Sequence, residues 1–169
     1  MHSVTPMAPA PFDKHTQTST HAPWAHHLQA DIDLAARRTA PVLITAPPGC
    51  AATIVQAIAA RSHRDLVPVA APHPAAADDV ITAIAENRLG IHTARGALLW
   101  LKEVHHLNDR QQAAVMKLVE AGFGQFPPAA RIIASSSVDL LDLVDRGSFD
   151  ARLFYRLNTI HLVVKLTGR

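Results

Sequence analysis

The sequence predicts a three-layer α/β fold built on a parallel sheet of five strands. Two observations carry that expectation. Strand-like and helix-like segments alternate along the chain, and the strand candidates are short continuous apolar runs rather than alternating ones. A strand covered on both faces needs such a run, and parallel neighbours need a crossover between them. The 169 residues, 49% of them apolar, are enough for one core of ordinary size.

Residues 1–22 are rich in Pro, Ser, Thr and His and lack an apolar period. They are expected to form a disordered leader ahead of a single domain over 23–169. From 24 to 38 the residues Trp24, Leu28, Ile32, Leu34 and Ala35 fall close to helical spacing. Pro41 opens a buried strand over 42–46, and Pro47, Pro48, Gly49 and Cys50 make a tight loop. A helix over 51–62 follows, with Ile54, Val55, Ile58 and Ala59 on one face. The run 67–70 reads as a strand, and Pro68 assigns it to a sheet edge because proline donates no ladder hydrogen bond. A helix is expected over 75–87, closed by Gly90, and the most apolar strand over 97–101. Asn108 is placed to cap a helix ending near Glu120, and 122–128 form a loop. A buried strand over 131–134, short helices over 138–145 and 149–157, and a last strand over 159–164 complete the pattern.

Composition removes several classes of function. Sixteen basic against 14 acidic residues leave a net charge of +2, so bulk charge gives no support to direct DNA or RNA binding. One cysteine, Cys50, rules out an internal disulfide and a multi-cysteine metal site. No apolar run approaches the roughly 20 residues of a membrane span, and the N-terminus lacks a secretory apolar core. A cytoplasmic protein without membrane contact is expected. The pairs His26–His27 and His105–His106 suggest a metal at first sight. Adjacent residues point to opposite faces of a strand, or about 100° apart on a helix, so such pairs rarely chelate one ion. No metal and no other cofactor is expected, and Cys50 reads as a small apolar side chain at a helix start.

The strand–loop–helix over 42–62 is where a doubly wound fold places a phosphate, on the free amides of a helix N-terminus. A working phosphate loop has the pattern G-x-x-x-x-G-K-[ST], in which the lysine reaches the outer phosphates and the hydroxyl binds magnesium. Residues 46–53 read Ala-Pro-Pro-Gly-Cys-Ala-Ala-Thr. Only Thr53 keeps that pattern, Gly49 is an extra loop glycine, and Ala52 stands where the lysine belongs. Taken alone, this is an ordinary strand–helix turn.

Four segments in order change the reading. The first, P-V-L-I over 41–44 with its loop, is similar to P-V-L-I-x-G-E-x-G-T-G-K-E. The second, G-A-L-L-W-L-K-E-V from Gly96 through to Leu107, is similar to G-T-L-F-L-D-E-I-x-x-L, followed at Gln111 to Leu118 by a counterpart of Q-x-x-L-L-R-x-L. The third, R-I-I-A-S-S-S-V-D-L from Arg131, is similar to R-x-I-A-A-T-N-x-D-L. The fourth, G-S-F-D-A-R-L-F-Y-R-L-N from Gly147, is similar to G-x-F-R-x-D-L-Y-Y-R-L-N. Together they resemble the central AAA+ domain of sigma-54-dependent transcriptional activators, over roughly 24–164. The resemblance implies the AAA+ version of the α/β sheet.

It also implies which residues occupy a nucleotide site: Gly49, Cys50, Ala52 and Thr53 in the loop, Lys102 and Glu103 at the acidic pair, and Ser137 at the sensor asparagine. Phosphoryl transfer needs a lysine, a metal-binding acid and an arginine from a neighbour. Ala52 and Lys102 replace the first two, Ser137 replaces the sensor, and Asp150 and Arg152 carry exchanged charges in the fourth segment. Only Thr53, Glu103 and Arg156 remain. The expectation is a catalytically inactive domain that works by protein interaction, possessing Asp150, Arg152 and Arg156 at an interface with itself or another AAA+ protein. Family members contact sigma-54 through a G-A-F-T-G-A loop. The interval 67–98 holds no such hexapeptide, which puts that contact in question. No counterpart of the family's helical lid or DNA-binding helix-turn-helix is expected after residue 164. The alternative is a sensor whose old cleft takes a phosphorylated ligand or cyclic dinucleotide, held by arginines such as Arg37, Arg38 or Arg156.

Overall fold

A computed structural model describes residues 28–70, 97–122 and 131–165. Its elements are α1 (Gln29–Arg37), β1 (Val42–Thr45), α2 (Cys50–Ser62), β2 (Leu66–Ala70) and β3 (Leu98–Lys102), then α3 (Asp109–Gly122), β4 (Arg131–Ser136), α4 (Leu140–Asp145), α5 (Ala151–Leu157) and β5 (Ile160–Val163). All five strands are parallel, in the order β2-β3-β4-β1-β5. Pro68 does lie on an edge strand. The expected leader, the His26–His27 pair, the helix over 75–87 and the loop from 123 lie outside the described residues.

The sheet separates two cores, and the strand alternation decides which side chain joins which. Val42, Ile44, Leu98, Trp100, Ile133 and Leu162 pack with Ile32 and Ala35 of α1 and Ile54, Val55 and Ile58 of α2. Leu43, Leu99, Leu101, Ile132 and Ala134 pack on the other face with Val115, Leu118 and Val119 of α3, Leu140 of α4, and Leu153 and Leu157 of α5. β1 and β4 sit centrally and are buried along nearly their whole length. Each Leu or Ile removed from water in this way contributes about 1.5–3 kcal/mol.

β5 departs from the expected pattern. Its edge position leaves His161 and Val163 exposed, and only the inward residue Leu162 is fully buried. Helix starts also shift, for a reason visible in the side chains. Asp139 Oδ1 accepts the Leu141 amide at 2.9 Å and Asp150 Oδ1 the Arg152 amide at 2.7 Å, so α4 and α5 begin just after these aspartates. Asn108 caps α3 as expected: its Oδ1 accepts the Gln111 amide while Gln111 Oε1 accepts the Asn108 amide, both at 2.9 Å. Between β3 and α3 lies one 3₁₀ turn, Val104–His106, which apolar periodicity does not signal.

At the opposite end of the sheet from that turn, Arg131 starts β4 and is only 3% exposed. Its Nε donates to the Ala40 carbonyl at 3.1 Å. Burial, with Arg64 nearby, lowers its pKa to about 10.

Candidate functional site

Ligands in open α/β sheets sit at the carboxyl ends of the strands. That end carries the loop 46–49, the start of α2, the β3 terminus at Lys102 and Glu103, and the β4 terminus at Ser136 and Ser137. Every candidate nucleotide-site residue lies on these segments. The fold therefore places all of them at the carboxyl end of the sheet, and the local geometry says what each does.

Gly49 has φ 86°, and a Cβ built there would meet nothing within 4 Å, so the glycine serves backbone conformation rather than close approach of a neighbour. The Cys50 amide donates to the Pro47 carbonyl at 3.1 Å, closing the turn. Pro47 and Pro48 carry no amide hydrogen at all. Of the loop's backbone donors, two are absent and a third is spent internally. The two prolines were legible in the sequence, but their effect on donor supply is clear only once the turn bond is seen. Ala46 and Ala51 are buried, and Cys50 and Ala52 pack half-buried on the α1–α2 core. Cys50 thus behaves as the small apolar side chain expected. Thr53 is half-buried in the first turns of α2.

Lys102 ends β3 on the same sheet face as Trp100, two residues earlier. Its Nζ lies 4.4 Å from the Trp100 ring centroid, a cation–π contact. The indole is fixed in turn by a hydrogen bond from Nε1 to Ser135 Oγ at 3.0 Å. Trp100, within the apolar strand expected over 97–101, is core and also the rest for the lysine.

Glu103 adopts φ 50°, in the left-handed region, and turns the chain into the 3₁₀ segment. Its Oε2 accepts the Ser137 amide at 3.0 Å and lies 3.3 Å from His105 Nδ1. Ser136 Oγ is 3.2 Å from the same nitrogen and donates to the Val138 carbonyl at 2.6 Å. His105 Nδ1 thus faces the Ser136 hydroxyl and the Glu103 carboxylate together. The His105 and His106 rings have centroids 3.9 Å apart and planes tilted by 48°. Burial pushes the His105 pKa down, the His106 charge lowers it further, and Glu103 opposes both. The His105 ring thus links the turn to the end of β4. Among the described residues no three His, Cys, Asp or Glu side chains gather as a metal site.

Asp150, Arg152 and Arg156 share one groove between α3 and α5, with Asp109, Met116, Lys117, Glu120 and Tyr155. Three acids and three bases surround an apolar centre. Tyr155 is 68% exposed. Asp150 also accepts from Arg152 Nη2 at 3.1 Å, and this contact holds its carboxyl below the usual range while raising the guanidinium. The exchanged charges therefore meet each other at the start of α5.

A stretch of 91 residues is 31% identical to the phenol regulator MopR of Acinetobacter guillouiae and 32% identical, again over 91, to the C4-dicarboxylate transport transcriptional regulatory protein DctD of Rhizobium meliloti (strain 1021). Each alignment covers 49% of this chain, but only 16% of the first relative and 20% of the second. The fold superposes on NtrX from Brucella abortus in complex with ATP with a TM-score of 0.69 at 22% identity, over 85% of this chain and 37% of that one. It also matches the P-loop NTPase domain of a sigma-54 transport activator from E. coli, with a TM-score of 0.62 at 17% identity over 86% of this chain and 97% of that one. No helix among the described residues is long and apolar enough to cross a membrane. The profile of the sigma-54 interaction domain matches residues 20–167, and the chain belongs to that family, with an AAA+ fold of P-loop type.

Proposed function

We propose that this domain does not hydrolyse nucleotide and works instead as an AAA+-type association module, a regulator of assemblies built from its own kind or from other AAA+ proteins. The observation that carries the reading is the closure of the loop before α2. Two of its positions lack amide hydrogens, the Cys50 amide is bonded to Pro47, and Ala52 brings no charge to an outer phosphate. Magnesium fits no better. A hard cation wants oxygen ligands, and Lys102 brings an ammonium group to the end of β3. The carboxylate of Glu103 is engaged by the Ser137 amide beside His105. Losing one positioned electrostatic group typically costs a factor of about 10²–10³ in rate, and several are missing here.

The association surface is the α3–α5 groove, where Arg156 sits among groups of both signs around Met116 and Tyr155. Such charges set orientation and partner choice more than affinity. The test combines three measurements: phosphate release, melting with magnesium and ATP, and light scattering with candidate AAA+ partners. No turnover, no melting shift and association weakened by Arg156→Glu are expected. Substantial turnover overturns the non-hydrolysing half, and a chain that stays monomeric with every AAA+ partner overturns the association half. A melting shift with cyclic dinucleotides alone favours the ligand-sensor reading.

A further inference from the structure

We infer that Gln112 is the positioning residue of the α3–α5 groove and ties its setting to the turn that carries Glu103. Gln112 lies in the first turns of α3, is 4% exposed, and spends its side-chain amide on two separate segments, the turn after β3 and the loop before α5. Its Nε2 donates to the Leu107 carbonyl at 2.8 Å and to the Ser148 carbonyl at 3.3 Å. Its Oε1 accepts the Asp150 amide at 2.7 Å. Leu107 ends the turn that Glu103 begins, and that turn is held by bonds from the His106 amide to Glu103 O and from the Leu107 amide to Val104 O. Asp150 is the cap of α5, which carries Arg152, Tyr155 and Arg156.

A continuous hydrogen-bonded route therefore runs from Ser137 through Glu103, the 3₁₀ turn and Gln112 to the start of α5. The helix has only seven residues, too short to hold its own geometry without such anchoring. A shift of the turn at Glu103 moves the Leu107 carbonyl, and Gln112 must follow it or release Asp150. In this way the state of the strand ends regulates the groove. That consequence rests on the association reading above, whereas the positioning role does not.

Spatial continuity alone does not demonstrate coupling, so the test reads coupling directly. Backbone amide exchange over 148–157 is followed in the full chain for Gln112→Met, which keeps the shape and removes every bond, and Gln112→Glu, which keeps only the acceptor. Exchange should rise about tenfold in Gln112→Met and less in Gln112→Glu, while β1 and β4 keep their protection. Glu103→Ala should raise exchange in α5 in the wild-type background and add nothing further in Gln112→Met. Unchanged α5 exchange in Gln112→Met overturns the proposal, as does simple additivity of the two substitutions. Should Gln112→Met not fold, the Gln112→Glu chain carries the same comparison. If exchange responds as stated but the wild-type chain never associates, the positioning role stands and the association reading falls.

Discussion

Glu103 Oε2 accepts the Ser137 amide at 3.0 Å, so one carboxylate joins the end of β3 to the end of β4. The bond gives this glutamate a structural task that is independent of any hydrolysis. Removing the acceptor leaves a half-buried amide without its partner, whereas an amide side chain still offers an oxygen. Glu103→Ala should therefore cost about 1 kcal/mol in denaturant unfolding, and Glu103→Gln distinctly less.

The order and type of the described α-helices and strands were legible from sequence because the central strands are uninterrupted apolar runs, whereas the 3₁₀ turn was not. Val42 to Ile44 and Leu98 to Leu101 are buried on both faces, and that burial is what the composition encodes. β5 was less legible, since an edge strand needs only its inward residues to be apolar and tolerates His161. The candidate site was legible residue by residue but not in its contacts. Strand alternation puts Lys102 on the face of Trp100, but nothing local in sequence aims Gln112 at Asp150, 38 positions away. The hydrogen bond of Trp100 to Ser135 spans 35 positions and is equally invisible to periodicity. Gln112 could have been noticed as a polar residue on the apolar stripe of α3.

Acidification should destabilise the fold through two histidines. Burial lowers the pKa of His105, and partial desolvation of the ring beside Thr45 lowers that of His161, against opposing pulls from Glu103 and Asp139 respectively. The folded state then binds protons less readily than the unfolded chain, whose histidines titrate near 6.5. Their contribution is full above that value and is lost as the pH falls through the lower folded values. Melting temperature should drop between pH 7.5 and pH 5.5, and the drop should shrink in His105→Gln. An identical pH slope in that variant counts against the assignment.

Arg131 presents a different balance. Among the described residues its Nη1 and Nη2 are buried without hydrogen-bond partners, and one bond from Nε to the Ala40 carbonyl is the side chain's compensation there. Taking a guanidinium out of water costs several kcal/mol, and one neutral carbonyl returns little of that. Replacement by an apolar side chain of similar length removes the cost along with the bond. Arg131→Met should be neutral or stabilising in urea unfolding, within about 1–4 kcal/mol on the stable side. A clearly destabilised variant means that the guanidinium has partners in solution.

The exchanged charges of α5 can be separated by the same kind of measurement. Asp150 Oδ1 accepts the Arg152 amide at 2.7 Å and the Leu153 amide at 3.3 Å, so its carboxylate satisfies donors that the helix leaves open. The Arg152 side chain is 83% exposed, and its bond to Asp150 is made in water. Capping bonds of this kind are worth about 1 kcal/mol, whereas exposed ion pairs are worth 0–1 kcal/mol and often nothing measurable. Asp150→Ala should therefore lower stability by about 1 kcal/mol, and Asp150→Asn should keep most of it because its oxygen still caps. Arg152→Ala should unfold indistinguishably from wild type. If the arginine proved as costly as the aspartate, the ion pair rather than the cap would be what starts α5, and the charge exchange would have to be read as a paired structural device.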